Sequence, residues 1–206
     1  MMKYKRFVGG NLESNGYVLY QRKGGDALLI DPGYNAGVFL AFLKDNGLNL
    51  KGILLTHLHH DHVGAVRGIL ASADCPVYMH SLDAEDYRGR VDIAMEDGLV
   101  IDLEGEPVKV LHTPGHTRGS VCFLCPESKL CFTGDTVFDT DLGRTDLAGG
   151  SEAEMEESVK NVVDRWPNDL FILPGHDSGC TMAQVRKYNS EFIQIVSGSK
   201  RNTVWE

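Results

Sequence analysis

The sequence predicts a layered α/β protein with helices packed outside its sheets. Three observations predict it. Short apolar runs recur along the 206 residues, and several end abruptly in a polar cluster. Segments with apolar residues at helical spacing and capping residues at their ends lie between those runs. There is no internal repeat, low-complexity tract or Pro/Gly/Ser-rich linker, so residues 1–206 are expected to form one domain.

Taken in order, "ALLI" runs into "DPG" at Asp31, and "GILL" runs into "THLHHDH" at residues 56–62. "VKVL" leads to "HTPGH" ending at His116, "LCF" to "TGD" ending at Asp135, and "LFIL" to "PGH" ending at His176. Apolar runs of this length and punctuation read as buried strands, which places the polar residues along one rim of a sheet. A helix is expected from the cap Asn35 to Gly47, and another from about Asp61 through "VGAVRGIL". Ser151 and Glu154 have capping-box spacing ahead of Val159, Val162, Val163 and Trp166, with Pro167 as the stop. Thr181 and Gln184 repeat the device ahead of Val185, Tyr188, Phe192 and Val196, which predicts one helix to residue 196.

Composition narrows the function classes. The formal charge is −9, with short basic clusters only at Lys3–Lys5–Arg6 and Lys200–Arg201, so a nucleic-acid partner is not expected. No run of about 18 apolar residues exists, so no membrane span is expected. The first 20 residues lack a secretory pattern. Five cysteines lie mostly in apolar segments, which points to reduced thiols and a cytoplasmic location. Cys122 and Cys125 sit in "SVCFLCP", whose strand-like alternation sends them to opposite faces as buried, unpaired thiols.

His57, His59, Asp61 and His62 are hard to account for without metal. His57 and His59 are two apart, so on extended backbone both rings project to one side. Asp61 and His62 fall at the start of the next helix, where they can face back toward the strand end. Imidazole with carboxylate suits Zn²⁺, and also iron or manganese. Two ions need further donors, and His116, Asp135 and His176 are available at the ends of other apolar runs. His60 is expected to point away, and His80 and His112 to lie outside the centre. Asp31 shares the strand-end placement and is expected to orient a ligating imidazole.

"THLHHDH", "HTPGHT", "FTGD" and "PGH", in this order, resemble the metallo-β-lactamase superfamily over roughly residues 8–180. The resemblance implies an α/β fold of the αββα type, two mixed β-sheets with helices on the outer faces. It also implies two divalent ions, zinc foremost: His57, His59 and His116 on one, Asp61, His62 and His176 on the other, and Asp135 between them. The hydrolases of that superfamily attack with water activated between the ions, and Asp61 or Asp135 could relay its proton to the leaving group.

Asp135 and the loop beyond it indicate the branch. Asp135 stands where the largest group of β-lactamases in the superfamily has Cys, and no basic clamp or flavodoxin domain accompanies the site. "FDTDLGRTDLAGGS" is similar to the glyoxalase II-like hydroxyacylglutathione hydrolases, which cleave thioesters of small-molecule thiols. Arg144 is expected to pair with a substrate carboxylate or with Asp146. Only 30 residues follow His176, so the helical extension that holds glutathione in that branch is not expected. Asp139 and Asp141 add negative charge where glutathione would approach. Two alternatives remain open: a mononuclear iron persulfide dioxygenase held by His57, His116 and Asp135, and a metal-binding protein without catalysis. Oligomeric state is not readable.

Overall fold

The structure, a computed structural model, describes residues 1–198; the Lys200–Arg201 cluster lies outside them. Among the described residues, twelve strands form two six-stranded sheets. The first holds β1 (Lys3–Gly9), β2 (Ser14–Tyr20), β3 (Asp26–Ile30), β4 (Asn49–Leu54), β5 (Val77–His80) and β6 (Ile93–Met95), in that order. The second holds β7 (Val100–Leu103), β8 (Glu106–His112), β9 (Val121–Cys125), β10 (Leu130–Gly134), β11 (Phe171–Pro174) and β12 (Cys180–Thr181), also in order. Both sheets are mixed: β3 to β6 run parallel beyond an antiparallel β1–β2–β3, and the β10–β11 pair is parallel within an otherwise antiparallel sheet.

The apolar runs are strands buried on both faces, which is why they read as continuous rather than alternating. Tyr17 and Leu19 of β2, Leu28 and Ile30 of β3 and Leu54 of β4 point inward. There they meet Val110, Val121, Phe123 and Phe132 of the second sheet. The intervening Val18, Leu29 and Ile53 face outward onto Phe39 and Leu43 of α1 (Ala36–Asp45) and Val66 and Ile69 of α3 (Val66–Leu70). On the far side Cys122, Cys131 and Ile172 pack against Met155 and Val159 of α5 (Glu152–Asn161), with Val185 and Phe192 from the C-terminal helices. The result is an αββα sandwich. Cys122 lies in the outer layer and Cys125 in the inner one, and all five cysteines are free and buried.

Several helices differ from the periodicity reading. The segment after residue 60 is two short pieces, α2 (His60–Val63) and α3, rather than one helix. The break accompanies close packing of α2 on the "DPG" loop, where a Cβ on Gly33 would collide with the Asp61 carbonyl oxygen. Asn35 occupies the cap position of α1 in a left-handed conformation, but its side chain makes no capping bond. Ser151 caps α5, which ends at Asn161 and passes into a 3-10 turn over Val163–Arg165. Thr181 and Gln184 form a complete capping box on α6 (Met182–Tyr188).

The expected continuous helix to residue 196 stops at Asn189 and restarts as α7 (Ser190–Ser197). Asn189 is fully buried. Its Oδ1 accepts the Phe192 N–H at 2.8 Å, while its Nδ2 donates to the carbonyls of Phe138 and Asp141. Met182, Val185, Phe192 and Ile195 pack inward across the break, whereas Tyr188 and Val196, expected on the apolar face, are exposed. No described helix is long and apolar enough to cross a membrane.

Candidate metal centre

The loops after β3, β4, β8, β10 and β11 meet at one end of the sandwich, so residues far apart in sequence share one rim. Hydrogen bonds stitch the two sheets together there. Val121 N–H donates to the Thr56 carbonyl at 2.9 Å, and Asn15 N–H donates to the Gly175 carbonyl at 2.6 Å. Gly175 has no room for a side chain: a Cβ there would collide with Asp135 Oδ1 and with His62 Cε1. The glycine of "PGH" thus clears space for two of the clustered residues.

The rim brings His57, His59, Asp61, His62, His116, Asp135 and His176 together. One donor atom each from His57, His59 and His116 lie within 4.8 Å of one another, and so do donors from Asp61, His62 and His176. Asp135 faces both sets, with Oδ2 3.5 Å from His116 Nε2 and 3.5 Å from His176 Nε2, and Oδ1 3.4 Å from His62 Nε2. His60 is not among the clustered donors, but contrary to expectation it does not turn away from the site: its side chain, 86% exposed, lines the cavity mouth with Nδ1 3.9 Å from Asp61 Oδ1. His80 and His112 stack on each other at 4.1 Å, away from the cluster.

Four of the five imidazoles are aimed by a partner on the other nitrogen. Asp31, held at φ 47°, takes the Thr56 N–H on Oδ1 at 2.7 Å; its Oδ2 accepts the Thr56 hydroxyl at 2.5 Å and faces His62 Nδ1 at 3.1 Å. The Thr56 oxygen in turn accepts from His57 Nδ1 at 3.0 Å. His116 Nδ1 donates to the Arg144 carbonyl at 2.7 Å, and His176 Nδ1 to the Leu12 carbonyl at 3.1 Å. These bonds fix the tautomers so that Nε2 of four rings faces inward. His59 is the exception and presents Nδ1, 2.8 Å from His116 Nε2. Asp31 can also be grouped geometrically with His57 and His62 as a donor, but both of its oxygens already accept hydrogen bonds from Thr56.

Three buried atoms at the centre, His57 Nε2, His62 Nε2 and Asp135 Oδ1, have no hydrogen-bond partner. Leaving such groups unsatisfied costs about 1–3 kcal/mol each, and a cation among them removes that cost. The donor set therefore fits divalent metal: imidazole and carboxylate only, three donors on each side, one carboxylate between them.

Charge follows the same geometry. Burial, reinforced by the neighbouring imidazoles, holds His57 well below the usual histidine range and brings His59 to about 4. Burial opposes charge on His62 too, yet Asp135, Asp31 and Asp61 raise it well above that range. Hydrogen bonds to Asp135 and Asp61 lift His176 to about 10. Without metal, His62 and His176 hold protons at neutral pH that a cation must displace. Metal affinity should therefore rise with pH up to about 10, by about tenfold per unit for each proton displaced. Competition titrations against a chelator at several pH values will measure this, and a flat profile would remove the two imidazoles from the ligand set.

Two contributors are invisible to motif reading. Thr56 links Asp31 to His57. Asp83, on α4 (Ser81–Ala84) and 1% exposed, receives Leu58 N–H at 3.0 Å, Thr117 Oγ1 at 2.9 Å and Gly119 N–H at 2.7 Å. It ties the loop carrying His57 and His59 to the loop carrying His116. Asp83→Ala should lower stability by about 2 kcal/mol, read as a lower denaturant midpoint. Arg144 pairs with Asp146 through two 2.7 Å bonds, both residues exposed.

The donors open onto a cavity of about 430 Å³ lined by Leu12, Phe138, Asp141, Leu142, Leu147 and Asp177, among others. Residues 9–176 match the family model described as the Metallo-beta-lactamase superfamily. The chain is 35% identical over 207 residues to an uncharacterised protein of Mycobacterium leprae (strain TN), covering 89% of this chain and 95% of that one. It is 34% identical over 178 residues to the hydroxyacylglutathione hydrolase of Francisella philomiragia, covering 85% of this chain and 68% of that one. Among solved structures it superposes on BLEG-1 B3 metallo-β-lactamase with TM-score 0.84 at 29% identity, covering 92% and 99% of the two chains. It also superposes on TTHA1623 in a di-iron-bound form with TM-score 0.79 at 33% identity, covering 91% and 99%.

Proposed function

Because the chain belongs to the metallo-β-lactamase superfamily, whose members are mostly hydrolases, we propose that it is a dinuclear-metal hydrolase of small-molecule thioesters. The observation that carries this is the pair of three-donor sets with Asp135 between them. A divalent ion in each set, zinc foremost, would supply Lewis acidity, acidifying water toward a pKa of about 7 and polarising a carbonyl.

The chain's own residues then divide the work. His57, His59 and His116 hold one side, and Asp61, His62 and His176 the other. Asp135 Oδ2 spans them. Asp61 Oδ2, 3.2 Å from His176 Nε2 and only partly buried, stands at the cavity floor where it can take a proton from the attacking water. A thiolate leaves readily, so little acid assistance is needed at the departing sulfur. The open cavity favours an enzyme over a closed metal store. Neither nucleic acid nor membrane is part of the proposal.

Metal content of protein purified without added metal, together with thioester hydrolysis and oxygen uptake on glutathione persulfide, tests the reading. Two ions per chain and thioesterase activity are expected. One iron per chain with oxygen consumption and no thioesterase activity would sink it in favour of the dioxygenase. A β-lactam serves as the control substrate, because the structural relative BLEG-1 is named a B3 metallo-β-lactamase.

A further inference from the structure

One wall of the cavity is not used by the hydrolytic chemistry. Leu12, Phe138, Leu142 and Leu147 form an apolar face that begins at the ligands themselves, with the Phe138 ring centroid 6.3 Å from that of His176. Leu12 and Leu147 are about half exposed, at 55% and 41%, so the wall presents apolar surface to the cavity mouth. The wall is built rather than loose. Val137 bridges Leu142, Phe138 N–H donates to the Asp141 carbonyl, and the buried Asn189 side chain holds both ends of that turn.

Carboxylates are prominent at the mouth, which Arg144 also lines and where the Arg6 guanidinium donates to the Asp177 carbonyl at 2.7 Å. Asp141 and Asp177 line the cavity, and a second cavity of about 270 Å³ shares residues 141–144 and continues past Glu152, Glu156 and Glu191. Burial and the carboxylates of Asp177, Glu191 and Asp139 push the Asp141 carboxyl up, as expected where negative charge is already dense. Arg144, the arginine lining the mouth, is held by Asp146 in a two-bond pair. The positive charge of bound ions would act at the carbonyl end of a substrate, not at this rim.

We propose that the substrate is a thioester with an apolar acyl chain of several carbons, lying on Leu12, Phe138, Leu142 and Leu147, and with an uncharged thiol portion. Anionic thiols such as glutathione are disfavoured by Asp141 and Asp177. This rests on the hydrolase reading. In the reaction the water oxygen bonds to the acyl carbon and the C–S bond breaks. One water proton goes to the thiolate, and the other is released as the carboxylic acid ionises.

Thioethers, which lack the carbonyl and cannot be hydrolysed, separate binding from turnover. With the metal-loaded full chain, S-hexyl-N-acetylcysteamine should bind about tenfold tighter than S-hexylglutathione by calorimetry, and added salt should narrow the gap. Lengthening the neutral ligand from ethyl to hexyl should strengthen binding by about fourfold per methylene, and Phe138→Ala should flatten that slope. Asp141→Asn with Asp177→Asn should close the gap between the two thiols. Equal or tighter binding of S-hexylglutathione, or no dependence on chain length, overturns the inference. If the selectivity holds but the matching thioesters are not hydrolysed, the cavity preference stands and the hydrolase reading fails.

Discussion

Asp135→Ala is expected to reduce turnover by on the order of a thousandfold and to leave fewer than two ions bound per chain. Asp135 is the carboxylate that faces both donor sets, and its Oδ1 is buried without a hydrogen-bond partner. Removing it opens a gap between the sets and leaves His62 and His176 without the neighbour that holds their charge up. The fold should survive, because the substitution shortens a side chain that supports no core packing. Activity and metal content measured on one preparation decide the matter. Full thioesterase activity in the variant would refute the assignment of Asp135 as the shared ligand.

Asp31→Asn should cost about 4 kcal/mol of stability and weaken metal binding by about 10–100-fold. The carboxylate is 2% exposed and faces three groups that can donate, the Thr56 N–H, the Thr56 hydroxyl and His62 Nδ1. An amide in the same space must turn its NH₂ toward one of them, so two buried donors confront each other. The damage spreads to both donor sets, since Thr56 passes the constraint to His57 and Asp31 constrains His62 directly. Denaturant unfolding with and without metal separates the two effects. Unchanged metal affinity would show that Asp31 supports only the loop.

Much of the fold and cluster was legible for a physical reason. A buried strand must be apolar along its whole length, so the polar residues that interrupt it mark its end. Five such ends placed Asp31, the 57–62 cluster, His116, Asp135 and His176 on one rim. The alternation that separates Cys122 from Cys125 was equally local. Other features depend on contacts that residue type does not encode. The carbonyls of Leu12 and Arg144 aim His176 and His116, yet every residue has a carbonyl. Asp83 lies in an ordinary polar stretch and gains its role only when α4 meets two loops. The Arg144 side chain attracted notice in the sequence, but its backbone is what touches the centre.

The buried Asn189 carries a consequence for recombination between relatives. The turn that shapes the mouth, residues 137–142, is held by Asn189 and by Glu191, which accepts the Leu142 N–H at 2.9 Å. These two groups lie about fifty positions later in the chain, at the junction of α6 and α7. A mouth turn grafted alone from a relative with a different junction would arrive without its anchors. The inheritable unit of substrate preference is thus a split module, the turn together with the start of the last helix, and grafts should succeed only when both halves travel together.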